Sequence, residues 1–174
     1  YVGRYLTKVP GGLDKDITRE EAQIIFDAGL RFFPIYQTNG TKEEYFTEAQ
    51  GTADAYAAIK AAQKLGIPNN TIIYFAVDFD SDDGDITNYV IPYFAKIHEV
   101  MKESNYKTGI YATRNTCTRV SKKGYACSSF VSNLSSGYSG NLGFTMPTNW
   151  AFDQFGWVDI GEGDAAISID KDGF

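Results

Sequence analysis

The segment Ile72-Ile-Tyr-Phe-Ala-Val77 is an unbroken apolar run that ends in Asp78 and, two residues on, Asp80. A strand with no polar alternation is covered on both faces, the mark of a parallel sheet lined by helices. Around it the hydrophobic period switches repeatedly between strand-like and helix-like. Residues 2–6 read as a strand already under way. Thr18 with Glu21 three residues later predicts a capping box. It opens a short helix with Ala22, Ile25, Phe26 and Gly29 on one side, ended by Gly29. Residues 30–36 are β-rich, an Ala-rich helix runs from about residue 51 to 65, and residues 86–101 again have a helical period. Residues 108–112, 130–131, 150–155 and 166–170 read as further strands.

About seven strands alternating with at most four helices predict parallel βαβ units. Right-handed crossovers then lead to an open doubly wound sheet or a closed barrel. From about Asn115 the chain is rich in Gly, Ser and Asn, as in Ser135-Ser-Gly-Tyr-Ser-Gly140, and loses its helical period. That suits a barrel whose later crossovers are partly loops. No repeat, linker or low-complexity tract interrupts residues 1–174, so one domain is expected, and 174 residues suffice for its core.

Composition narrows the function. The chain carries 16 Lys and Arg against 22 Asp and Glu, a net charge of −6. A dedicated nucleic-acid binder needs a basic face, which argues against that class. No apolar run reaches the roughly 20 residues that span a bilayer. A single His, His98, argues against His-based zinc sites and a Ser-His-Asp triad. Twelve Tyr, twelve Phe and two Trp instead supply many rings that can stack on sugars.

Polar residues cluster where strands end. Asp78 and Asp80, at i and i+2, point to one face of the strand. Paired carboxylates at the carboxyl end of a buried parallel strand sit where barrel enzymes build their sites. Like charges so close repel, which favours one proton donor and one charged partner. A calcium loop counted from Asp78 would need Gly at position 6 and Glu at position 12. Asp83 and Tyr89 stand there, and that reading fails. Tyr36-Gln37, Tyr111, Trp150, Asp153-Gln154 and Asp170 lie on or at the ends of other strands. Together they describe an aromatic, carboxylate-floored pocket that holds no metal and needs no cofactor, which is what glycan cleavage asks for.

Several segments resemble a known family. They are Val2-Gly-Arg-Tyr-Leu6, the Thr18-Arg-Glu-Glu-Ala22 helix start, Pro34-Ile-Tyr-Gln37, Gly51-Thr-Ala-Asp-Ala55, Ile73-Tyr-Phe-Ala-Val-Asp-Phe-Asp80, Gly109-Ile-Tyr111 and Trp150-Ala-Phe-Asp-Gln-Phe155. They look like a bacterial glycoside-hydrolase-like domain of unknown function, similar to the family 25 lysozymes, which are TIM-like barrels that cut peptidoglycan. The resemblance covers nearly the whole chain. It implies a TIM-like β/α barrel, with the chain starting at what would be the second strand. It also implies a secreted or cell-wall-associated protein acting on a cell-wall glycan, beside further cell-wall-binding modules in a longer parent chain.

By that resemblance Asp80 takes the place of the family's acid, Asp78 that of its charged partner, and Asp170 that of a last-strand Asp. Tyr36, Gln37, Tyr111, Trp150 and Gln154 would contact the sugar. The family's acid is Glu, one methylene longer than Asp80. That departure favours an alternative, a non-catalytic glycan-binding or surface domain on the same barrel. Export would also favour a disulfide between Cys117 and Cys127, the two cysteines of the chain.

Overall fold

The computed structural model describes residues 1–8, 14–163 and 166–174. The chain runs β1 (Val2–Tyr5), α1 (Arg19–Asp27), β2 (Phe32–Tyr36), α2 (Glu48–Leu65), β3 (Ile72–Ala76), a short helical turn α3 (Asp83–Asp85), a π-helical turn (Ile86–Val90), α4 (Ile91–Met101), β4 (Lys107–Ala112), α5 (Arg114–Lys122), β5 (Ser128–Val131), β6 (Trp150–Ile160) and β7 (Ile167–Gly173). Seven strands form one sheet in the order of the chain, β1 through β7. Strands β1 to β6 pair in parallel.

The strands alternate between two faces, and each face has its own core. Ile73, Phe75 and Val77 from β3 and its end, with Ile110 and Ala112 from β4, pack against Ala55, Ala58 and Ala62 of α2 and Phe94 and Ile97 of α4. The opposite face collects Phe33, Ile35, Tyr74 and Phe130, with Tyr5, Tyr111 and Phe152 against them. The rings of Phe33 on β2 and Phe152 on β6 stack at 4.0 Å although three strands separate them in the sheet. The sheet must therefore curl around this second core. Tyr1 before β1 lies edge-on to Phe174 after β7, with centroids 5.2 Å apart. The result is a curled half-barrel compatible with a partial TIM-like barrel. Among the described residues β1 and β7 remain the two ends of the sheet, so the full barrel expected from the sequence is not shown.

Local signals explain the helices. Thr18 Oγ1 accepts from the Glu21 N–H at 3.1 Å, one half of the expected capping box. The Glu21 carboxylate takes no return bond. It accepts instead from Arg4 Nε at 2.6 Å and Nη2 at 3.0 Å, tying α1 to β1. Of the expected apolar face of α1 only Ile25 is buried, while Phe26 stacks on Phe32 with both ends of the contact near the surface. Thr47 caps α2 in the same way, and Gly66, with φ +78°, ends it.

Two expectations need correction. Helix α5 lies in the stretch read as lacking helical pattern. Its buried residues are Asn115, Thr116, Cys117 and Val120, a mostly small and polar set, so its period is carried by Cys117 and Val120 set against Arg119 and Lys122 rather than by large apolar side chains. Strand β7 runs antiparallel to β6 rather than parallel. The few residues between Ile160 and Ile167 cannot make a parallel return, which needs roughly a dozen. The long β5–β6 connection is a loop with one short turn at Ser139–Asn141, as expected.

The disulfide is also absent. Cys117 and Cys127 are both free. Cys117 is buried on the sheet-facing side of α5, where its thiol donates to the Ala112 carbonyl at 3.4 Å, whereas Cys127 is exposed just ahead of β5. No helix among the described residues is long and apolar enough to cross a membrane.

Candidate active site

The inner core stops short of the carboxyl ends of the strands, and a cleft of about 850 Å³ opens there. Its lining includes Gln37, Asp78, Tyr111, Gln154, Asp170 and Asp172, with Tyr5 and Arg4 from β1. Asp78 arrives because alternate residues of β3 and its continuation face inward: Tyr74 is in the inner core and Asp78 lies four residues further on. Gln37, just past β2, donates from Nε2 to Asp78 Oδ2 at 3.2 Å. On the far wall the Tyr111 hydroxyl donates to Gln154 Oε1 at 2.7 Å, and Gln154 Nε2 donates to Asp170 Oδ2 at 2.9 Å. Five residues expected from the sequence thus share one cleft: Asp78, Gln37, Tyr111, Gln154 and Asp170.

Burial pushes the Tyr111 hydroxyl's titration far upward, and the negative charge of Asp78, with smaller contributions from Tyr5, Asp170 and Asp172, adds to it. Tyr5 is raised in the same way, by burial first and then by Asp78 and Asp170. Both phenols stay neutral in the middle of the acidic cluster, Tyr111 with its proton given to Gln154.

Three expected residues lie elsewhere. Asp80 is exposed and is not part of the cleft lining. Its Oδ1 accepts from the Ser139 backbone N–H at 2.6 Å and from the Ser139 hydroxyl at 2.7 Å, which turns it toward the β5–β6 loop. Phe79 still packs outward against Phe46 with Phe75 and Val77, so the alternation continues as far as Phe79, and it is the Ser139 turn that takes the Asp80 carboxylate out of the cleft lining. Tyr36 is buried on the helix-facing side of β2, where its hydroxyl donates to Asp54 Oδ1 at 3.1 Å. Trp150 opens β6, 44% exposed. Four residues at about 3.3 Å each put it roughly 13 Å along the strand from Gln154, at the opposite end of the barrel.

Two acids were not singled out from the sequence. Asp172 lines the cleft on the same face of β7 as Asp170, two residues on, and is the register partner of Gln154. Burial first, then the neighbouring charges of Asp170 and Asp153, raise its carboxyl from the ordinary 3.8 to about 6. Its signal was the i, i+2 repeat of acids in Ile169-Asp-Lys-Asp172, the same spacing as Asp78 and Asp80.

Asp54 on α2 is 2% exposed and accepts from the hydroxyls of Tyr36, Tyr45 and Tyr93 and from Gln50 Nε2. It lies three residues after Gly51 and four before Ala58, both buried, and that position on the apolar stripe was its signal. Among the described residues no group of three or more His, Cys, Asp or Glu is arranged to hold a metal ion.

Comparison with known proteins places this geometry. Two uncharacterized Bacillus subtilis (strain 168) proteins are similar. FadG is 53% identical over 175 residues, covering 98% of this chain and 30% of FadG. YbfG is 49% identical over 184 residues, covering 99% of this chain and 25% of YbfG. The chain therefore spans about a quarter to a third of the length of these relatives. Among solved structures, the Mycobacterium tuberculosis Tat-secreted protein Rv2525c superposes with a TM-score of 0.78 in its complex with HEPES and 0.79 in its complex with L-tartrate. Those matches are 21% and 19% identical and cover 98% of this chain and 82% of Rv2525c, a likeness of fold. The family model of the Rv2525c-like, glycoside hydrolase-like domain matches residues 1–174, and the chain belongs to that family.

Proposed function

We propose that this domain hydrolyses a glycosidic bond of a bacterial cell-wall polysaccharide of the peptidoglycan type, in the cleft at the carboxyl ends of its strands. The observation that carries the reading is the pair of hydrogen-bonded carboxylates on facing walls of that cleft. Carboxylates stand on both walls, Asp78 held by Gln37 and Asp170 held by Gln154, with two neutral phenols, Tyr111 and Tyr5, between them. Such a cleft meets a sugar with acceptors for its hydroxyls and a negative charge for the positive centre that develops at the anomeric carbon. Asp78 is the residue in that stabilising role, or it orients the substrate's own acetamido group. The family's description supports the glycoside-hydrolase reading, and the export of the Tat-secreted Rv2525c neighbour supports a secreted protein that meets its substrate outside the cell.

One observation favours the alternative, a glycan-binding domain without turnover. Asp80, which stands where the resembled lysozymes carry their acid, is held at the rim by Ser139 rather than in the cleft. Release of new reducing ends from purified cell walls separates the two. The hydrolase releases them, and Asp78→Asn lowers the rate by about 10²-fold or more, in the range seen when an electrostatic stabiliser is removed. A protein that binds cell walls yet releases none is the binding domain instead.

A further inference from the structure

We propose that Asp172, and not an acid at the end of β3, is the group that hands a proton to the leaving oxygen in this cleft; the inference rests on the hydrolase reading above. Three other carboxylates in or beside the cleft have identified donors. Asp78 accepts from Gln37 at 3.2 Å, Asp170 from Gln154 at 2.9 Å, and Asp153 behind them from Asn133 at 2.6 Å. Asp172 differs. Its Oδ1 is buried and has no hydrogen-bond partner among the described residues. A buried carboxylate oxygen without a donor is costly when charged and far less so when neutral. A neutral carboxyl is itself a donor: Oδ1 is closed to solvent and makes the charged form costly, while Oδ2 takes no hydrogen bond among the described residues and can carry the proton on the side of Asp172 that lines the cleft.

The surroundings of Asp172 agree with the geometry. Asp170 on its own strand and Asp153 on β6 both face it with negative charge, while the amino group of Tyr1 pulls weakly the other way. Tyr111 from β4 carries the influence of Asp78, Asp170 and Asp172 together, which puts the three acids around one phenol. A carboxyl titrating at about 6 is partly protonated near neutral pH, in the range suited to a general acid. Asp78 and Asp172 then stand on opposite walls, one as the charged partner and one as the proton source, the division of roles that two-carboxylate glycan cleavage requires.

The step balances without any further reactant. As the bond between the anomeric carbon and the glycosidic oxygen breaks, that oxygen takes the Asp172 proton and leaves as a hydroxyl. Asp78 stabilises the positive charge left on the sugar. A water molecule adds to the anomeric carbon and gives up one proton, which restores the Asp172 carboxyl.

The test compares wild type with Asp172→Asn on two substrates, purified bacterial cell walls and a dinitrophenyl glycoside of an N-acetylated sugar. The dinitrophenolate leaves without protonation, so its release bypasses the proposed role. Asp172→Asn should lower the cell-wall rate by about 10²–10⁴-fold while dinitrophenolate release falls by less than about tenfold. The wild-type cell-wall rate should also fall as pH rises through about 6, and the variant should lack that limb. An equal loss on both substrates, or an undiminished cell-wall rate with the same pH limb, overturns the assignment while leaving the hydrolase intact. A wild type inactive on both substrates overturns the hydrolase reading and the assignment with it. Carbon-13 NMR of aspartate-labelled wild type gives a reading independent of how the variant folds. A carboxyl titrating near 6 is expected, and if every Asp titrates below about 5 the assignment fails.

Discussion

Replacing Asp54 by Ala removes the single acceptor that holds four donors, from β2, the turn at Glu43–Tyr45, α2 itself and α4. The carboxylate takes the Tyr36 hydroxyl at 3.1 Å, those of Tyr45 and Tyr93 at 2.7 Å each, and Gln50 Nε2 at 2.8 Å. Tyr45 would keep its contact with the Thr38 hydroxyl at 2.6 Å, and Gln50 is close enough to the surface to find water. Tyr36 and Tyr93 are both buried, and among the described residues Asp54 is the acceptor to which each hydroxyl donates. A buried polar group left without a partner costs about 1–3 kcal/mol, so the two together cost about 2–6 kcal/mol. Against a typical total of roughly 5–15 kcal/mol that is a large share of the stability.

Denaturant unfolding of wild type and Asp54→Ala measures it directly. The same substitution in a Tyr36→Phe, Tyr93→Phe background, where no hydroxyl is left to strand, should cost clearly less. If Asp54→Ala lies within about 0.5 kcal/mol of wild type, or costs as much in the Phe background, the reasoning from stranded hydroxyls is wrong.

Three further outcomes follow from named contacts. A Cβ at Gly51 would collide with the Tyr93 carbonyl of α4, so in Gly51→Ala the overpacking cost of 1–3 kcal/mol should outweigh the roughly 1 kcal/mol gain in helix propensity; a variant that melts at or above wild type contradicts this. Thiol labelling under non-reducing conditions should find Cys127 alone in the native protein, because Cys117 is buried with its thiol pushed up to about 12, and both after unfolding. A denatured protein with no reactive thiol would restore the disulfide. Since Asp172 holds its proton more tightly folded than unfolded, wild-type stability should fall as pH rises from about 4 to about 6, and Asp172→Asn should be the more stable protein above that window. Stability curves of the two that run parallel from pH 4 to 7 would show that the carboxyl carries no such penalty.

The strands and the main helices before β4 were legible in the sequence because each rests on local chemistry, whereas the residues themselves left the strand order open. An apolar run makes β3, Thr18 starts α1, and Gly29 and Gly66 stop the first two helices, while the Thr47 cap of α2 lies ahead of the start expected at about residue 51. Half of the cleft was legible too. Gln37, Asp78 and Tyr111 follow directly from strand ends in a parallel sheet. The rest depended on contacts between distant segments. Helix α5 buries mostly small and polar residues against the sheet, so its period lacks the large apolar side chains that mark the other helices. Asp80 shares the parity of Asp78 but not its cleft, because β3 ends at Ala76 and the Ser139 turn captures the carboxylate. Tyr36 and Trp150 carry the same chemistry as Tyr111, yet the outer core takes one and the far end of the barrel the other. Asp172 becomes distinctive only where the curl of the sheet and the antiparallel return of β7 set it beside Asp170, behind Gln154, and away from any donor. Side-chain type is local, but burial and charge environment are not, and those two quantities decide which acid of this chain holds a proton.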